Sequence, residues 1–195
     1  MNKIINYNDI SKNYSIHRNS SCEVITHILQ LLNNKKIETI LEVGCGTADY
    51  LFSLGQNIKS QLFGFDNSEG MVKEGNIKNP GLILTVNDVH NKFNYNNDFF
   101  DFVYSIDVIH YVKDLDHCFN ESFRVLKKDG IIMTITDSEE DLKNRTMTKY
   151  FPKSLQIEMK RYHKIKTIKE SMERNGFKEI EISHTEKEYE IDEKL

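Results

Sequence analysis

The chain has 195 residues and a net charge of −4, with acidic and basic residues interspersed along most of its length. That length fits one α/β domain with its own core and would cramp two, and the charge offers no electrostatic footprint for a nucleic acid or membrane partner. No apolar run is long enough to span a bilayer, residues 1–9 lack the apolar core of a secretory signal, and Cys22, Cys45 and Cys118 form no Cys-x-x-Cys pair, so a cytoplasmic protein without a disulfide framework or metal site is expected.

Residues 1–36 read as a helical lead-in. Val24, Ile25, Ile28, Leu29 and Leu32 share one helical face, and Ser20 with Glu23 is spaced as a capping box. A core of alternating short strands and helices follows over 37–136. Strands are predicted at 37–43, 62–65, 82–86, 100–106 and 131–135, each separated from the next by helical sequence. Asp114 is placed to cap a helix carrying Leu115, Cys118, Phe119, Phe123 and Leu126, which Lys127, Lys128 and Gly130 should end. Residues 137–164 are too long for a simple connection and are expected to form a lid over an acceptor site. The remainder, 165–195, should supply a helix ending at Asn175 and Gly176, a strand over 177–183 and a charged tail. The order implies an α/β, Rossmann-like, doubly wound, mostly parallel sheet with helices on both faces.

The segment Ile40-Leu41-Glu42-Val43-Gly44-Cys45-Gly46-Thr47-Ala48-Asp49 is a buried strand running into a glycine-rich turn and then a helix. In open α/β sheets ligands lie beyond the carboxyl ends of the strands, where glycine lets the backbone approach them closely. A dinucleotide fingerprint needs a third glycine where Asp49 stands, and the Gly-Lys-Ser/Thr of a phosphate-binding loop occurs nowhere. Glu42 would also repel a phosphate. A zwitterionic nucleoside without phosphate suits the loop better.

Glu42-x-Gly44-x-Gly46 resembles the first motif of the class I methyltransferases, in particular their small-molecule (methyltransferase type 11-like) group. The resemblance continues through Asp66, Asn87-Asp88, the stretch 101–110 and Arg124-Val125-Leu126-Lys127-Lys128-Asp129-Gly130. It implies S-adenosylmethionine as cofactor and S-adenosylhomocysteine as product. Glu42, Gly44, Cys45 and Gly46 would then form the cofactor loop, and Asp66 with Asn67 would meet the ribose hydroxyls. Met71 would pack on the adenine face, Asn87, Asp88 and Val89 would read the adenine edge, and Ser105 and Ile106 would lie under the methionine part. Tyr14 and Arg18, in a lead-in that also holds Tyr7 and His17, would cover the sulfonium and pair with the cofactor carboxylate. Singly, each aspartate is as readily a cap or turn residue and Met71 ordinary core; their ordered occurrence favours the functional reading.

In-line methyl transfer dictates no catalytic residue, because positioning and exclusion of water supply much of the acceleration. His110, beside Tyr111 and near Asp107, is the candidate base, and packing against the next helix is its alternative role. Aromatic and basic residues of the lid, Arg145, Tyr150, Phe151, Arg161, Tyr162 and His163, would face the acceptor or form the lid's own small core. The expected partner is a small-molecule acceptor, with the chain acting as monomer or homodimer. A non-catalytic S-adenosylmethionine-binding module is the rival reading, and a nicotinamide-dependent oxidoreductase a weaker one. The family's last two strands are short here: either the final hairpin is abbreviated or the chain ends before the fold does.

Overall fold

The computed structural model describes residues 7–8, 10–11 and 20–185. Two compact units emerge, one comprising the chain up to Val86 with the residues from Glu181, the other Asn87–Ile180.

The first unit opens with α1 (Cys22–Leu32), whose Val24, Ile25, Ile28 and Leu32 are buried along one face. Its cap is Ser21, one residue later than expected: the Ser21 hydroxyl oxygen accepts from Val24 N–H at 3.4 Å and donates to Glu23 at 2.7 Å. Ser20 instead bonds Ser53 at 2.7 Å, so the tertiary partner decides which serine caps. Strand β1 (Thr39–Val43) is buried throughout. It pairs in parallel with β2 (Gln61–Asp66), which pairs in parallel with β3 (Ile83–Val86). Parallel neighbours require crossovers, and α2 (Asp49–Gly55) and α3 (Glu69–Lys78) supply them. Gly64 lies at the middle of β2 because a Cβ there would sit 2.9 Å from the Cys45 sulfur and 3.0 Å from Leu84.

The second unit pairs β4 (Phe100–Ile106) in parallel with β5 (Leu126–Ile135). Between them runs α4 (Leu115–Val125), capped as expected by Asp114, which accepts from His117 N–H at 3.0 Å. The run 127–130 does not end the helix. Strand β5 begins at Leu126, directly after Val125, and its extra residues are absorbed in an irregular register between Phe100↔Leu126 and Phe102↔Ile131. Lys127 reaches both oxygens of Asp101 at 2.8 and 2.9 Å, and Asp129 adopts φ 63°, which together hold the bulge.

Residues 87–99 are tied down by Arg124. Its guanidinium donates to Glu121 at 2.8 and 2.7 Å, to the carbonyls of Phe93 and Tyr95 at 2.9 Å and to the Asn97 side-chain oxygen at 2.9 Å. Glu121 in turn accepts the Phe93 N–H at 2.7 Å, and Arg124 beside it holds its carboxyl below the usual range.

The expected lid folds as three short helices, α5 (Glu139–Asn144), α6 (Thr146–Tyr150) and α7 (Pro152–Arg161). A capping box between Ser138 and Asp141 starts the first, and Pro152 opens the third at a position where its missing N–H costs nothing. Helix α8 (Ile165–Arg174) docks on α4 through Asp116, which accepts from Ser171, Arg174 and Asn175. The helix stops at Asn175 and Gly176 as expected, with Gly176 at φ 95°.

No strand forms over 177–183. Phe177 turns edge-on to Phe123 and Phe119, 5.2 and 6.3 Å between centroids, and Glu179 takes φ 54°, which breaks the alternation a ladder needs. Half-buried, Phe177 packs on α4 instead of extending the sheet.

Candidate functional site

In the first unit β1 delivers a loop with three left-handed residues, Gly44 (φ 69°), Gly46 (φ 54°) and Ala48 (φ 62°). The turn is tight enough that Ala48 N–H donates to the Cys45 carbonyl at 2.8 Å. Two bonds fasten it to β2: Cys45 N–H to the Phe65 carbonyl, and Gly46 N–H to the Asp66 carboxylate, each 2.9 Å. The other Asp66 oxygen accepts Ser68 N–H at 2.9 Å, so one side chain sets the spacing of both loops.

Glu42 and Asp66 give the loop a negative character. The Cys45 thiol is pushed far above its usual range by burial first, then by these two carboxylates. Asp49, at the start of α2, accepts from Thr47 and pairs with Lys78, each at 2.5 Å. A carboxylate stands where a pyrophosphate-binding loop would carry glycine.

Past Asp66, Asn67 is exposed and Ser68 caps α3 by accepting from Met71 N–H at 3.2 Å. Met71 itself is 2% exposed and belongs to the core of this unit. Asn8 binds the same helix start, its side-chain oxygen accepting from Ser68 at 2.7 Å and from Gly70 N–H at 2.9 Å. Sequence reading overlooked Asn8, because nothing local marks a contact across 60 positions. Tyr14 and Arg18 lie outside the described residues.

The second unit holds the other expected residues. Asn87 accepts Asp88 N–H at 2.9 Å and donates to the Lys92 carbonyl at 3.1 Å, while Val89 is half-buried. Asp88 is held by His90, whose backbone N–H and Nδ1 both reach its Oδ1, at 2.9 and 2.6 Å. His90 Nε2 accepts Lys113 N–H at 3.1 Å, so the proton belongs on Nδ1, where it points at Asp88. His90 is a second residue that spacing alone did not reveal. Ser105, at the end of β4, bonds Thr134 at 2.9 Å, and Ile106 is buried beside it.

His110 lies in a 3-10 turn, Ile109–Tyr111, buried between two rings: Tyr162 stacks at 4.1 Å between centroids and Tyr111 tilts at 4.2 Å. The Arg161 guanidinium lies over both tyrosine rings, 5.0 Å from Tyr111 and 5.3 Å from Tyr162. Arg145 bonds Asp137 and the Tyr162 hydroxyl, while Arg161 pairs with Glu158 at 2.6 Å. His163 bonds the Val112 carbonyl at 2.8 Å. Burial lifts the Tyr162 phenol above its usual range, with Arg145 opposing the shift. Several lid residues therefore gather around the candidate His110, whereas Tyr150 and Phe151 remain exposed. Among the described residues no group of three His, Cys, Asp or Glu side chains converges as for a metal ion.

Comparison with known proteins agrees with this layout. Residues 41–134 match the model of a methyltransferase domain. A demethylmenaquinone methyltransferase of Staphylococcus epidermidis is 30% identical over 120 residues, covering 60% of this chain and 50% of its own. The chain thus spans about half the length of the curated relatives it matches. Among solved structures, an S-adenosylmethionine-dependent methyltransferase of Thermotoga maritima aligns with a TM-score of 0.68 at 21% identity, over 89% of this chain and 80% of that one. Phosphoethanolamine N-methyltransferase 2 of Haemonchus contortus, in complex with S-adenosyl-L-methionine, gives 0.71 at 20%, over 92% and 46%. Residues 41–134 thus carry a methyltransferase domain, and the chain shares the Rossmann-like α/β fold of S-adenosylmethionine-dependent methyltransferases.

Proposed function

We infer that the chain transfers a methyl group from S-adenosylmethionine to a small-molecule acceptor in the cytoplasm, releasing S-adenosylhomocysteine. The observation that carries this reading is Asp66 at the carboxyl end of β2, whose carboxylate binds Gly46 N–H of the glycine loop and Ser68 N–H at the start of α3, where the ribose of a nucleoside cofactor would lie. Glu42 and Asp66 beside the loop suit a donor that bears cationic sulfonium and ammonium groups, and disfavour a pyrophosphate. Asp49 in place of the third glycine weighs against a nicotinamide cofactor in the same way.

When bound, S-adenosylmethionine would supply an electrophilic methyl group. The work of the chain is then to hold and exclude. Gly44, Cys45 and Gly46 present backbone to the amino-acid part, with Glu42 buried behind them. Asp66 and Asn67 take the ribose, and Met71 backs the adenine from the core of its unit. Asp88, oriented by His90 and flanked by Asn87 and Val89, reads the adenine edge. Ser105 and Ile106 would floor the methionine end. His110 serves as a positioning element or as base where the nucleophile arrives protonated, its ring orientation set by Tyr111 and Tyr162.

The small-molecule acceptor is supported by the helices over 137–164 and by the similarity to a demethylmenaquinone methyltransferase. Titration calorimetry tests the cofactor assignment. S-adenosylmethionine and S-adenosylhomocysteine should bind saturably and nicotinamide dinucleotides should not. Asp66→Ala should weaken the former by roughly 10- to 100-fold, from lost charged hydrogen bonds. Unchanged affinity in that variant would remove Asp66 from the ribose site. Turnover of an acceptor panel that includes demethylmenaquinone separates an enzyme from a silent binding module.

A further inference from the structure

The modest charge of the whole chain hides a strong local segregation. Residues 142–169 hold nine Lys and Arg against one acid, Glu158, so this segment is +8 in a chain of net −4 and the rest carries −12. Helix α7 lies within it and has two distinct faces. Leu155, Glu158, Met159 and Tyr162 are half-buried at i, i+3, i+4 and i+7, while Lys153, Gln156, Ile157 and Lys160 repeat the same spacing on the exposed side. Tyr150 and Phe151 stand just before the helix, 75% and 60% exposed, and Ile157 is 53% exposed. Lys143, Lys153, Lys160 and Lys164 make no ion pair among the described residues.

We propose that this outer face of α7, with Tyr150 and Phe151, docks on an anionic lipid bilayer surface. Aromatic and aliphatic side chains flanked by lysines are the composition of a helix that lies in the interface, its rings at headgroup depth and its ammonium groups on lipid phosphates. A helix of ten residues has too little apolar area to bind by itself, so attraction by the surrounding lysines must supply much of the affinity. Arg145 pairs with Asp137 and reaches Glu158 of the helix at 3.8 Å, and Arg161 pairs with Glu158 and donates to the Tyr111 hydroxyl at 3.1 Å, which holds the helix by its inner side. Their commitment also favours lipid over RNA. The planar donors best matched to nucleic-acid phosphates are engaged elsewhere, and an isoleucine occupies the middle of the presented face.

The test is flotation of the full chain with vesicles of phosphatidylcholine alone or mixed with phosphatidylglycerol, at about 0.05 M and about 0.5 M salt. Binding is expected to the mixed vesicles only, and to fade at the higher salt. Lys153→Glu with Lys160→Glu should reduce it by roughly tenfold or more, and Phe151→Ser with Ile157→Ser should do so independently. All four side chains are exposed, so unchanged melting and unchanged S-adenosylmethionine affinity verify that the variants are folded. Absence of flotation, equal binding to neutral vesicles, indifference to both double substitutions, or displacement of the vesicles by single-stranded RNA would each overturn the proposal. Salt dependence of the unmodified chain is a reading that requires no variant. Failure here leaves cofactor binding untouched, which distinguishes it from failure of the methyl-transfer reading.

Discussion

Arg124→Ala probes the clasp between residues 87–99 and α4. The guanidinium makes two bonds to Glu121 and one each to Phe93, Tyr95 and Asn97, with side-chain exposures of 19% for Arg124 and 8% for Glu121. Its removal leaves the Glu121 carboxylate with the Phe93 N–H but without its counter-charge, and strips two backbone carbonyls of a donor. Breaking a fully buried pair costs about 3–5 kcal/mol. Water can reach part of this one, so about 3 kcal/mol is expected, or roughly 6–12 °C in melting temperature for a chain of this size. The pH dependence has a definite sign. Because the folded state lowers the Glu121 pKa, its stabilisation is present above the unfolded glutamate value of about 4.3 and lost as pH falls through the folded value. The gap between wild type and variant should therefore be full near neutrality and narrow in acid, where the bonds to Phe93, Tyr95 and Asn97 remain. Thermal unfolding followed by circular dichroism at several pH values measures both. A loss under about 2 °C at neutral pH, or a gap that persists unchanged in acid, would refute the reasoning.

Gly64→Ala should destabilise the protein by about 1–3 kcal/mol and weaken S-adenosylmethionine binding together, since the added methyl presses on Cys45 in the cofactor loop; calorimetry on the folded variant reads the second effect. Thiol labelling of the native chain at mildly alkaline pH should modify Cys22 alone. Cys22 is exposed, Cys118 is pushed up to about 12 by burial, and Cys45 is buried beside two carboxylates; rapid reaction of more than one thiol would contradict that. Asp116→Asn should release α8 from α4, seen as faster amide exchange across Ile165–Arg174 with little change in the strands. The Asp116 carboxyl is held low by Ser171 first and then Arg174, so wild type should show the same loosening only in acid.

Strand and helix order was legible because each element obeys a local rule: buried apolar runs for β1 and β4, the Asp114 cap for α4, Gly176 at the end of α8. The first loop was legible for the same reason, since two glycines after a buried strand state a backbone requirement directly. Errors fell where distant partners compete. Ser20 lost the cap of α1 to Ser21 because Ser53 engages it, and the strand over 177–183 gave way to packing of Phe177 on α4.

What the amino-acid order determined by itself is therefore the alternation of elements, the glycine turn and the identity of the acidic residues that follow the strands, all governed by neighbours within a few positions. Tertiary structure alone decided which groups those residues meet: Asp66 on Gly46, His90 on Asp88, Asn8 on the start of α3, and the rings around His110. Hydrogen bonds and ring contacts depend on ångström distances between segments far apart in the chain, and no local pattern encodes them.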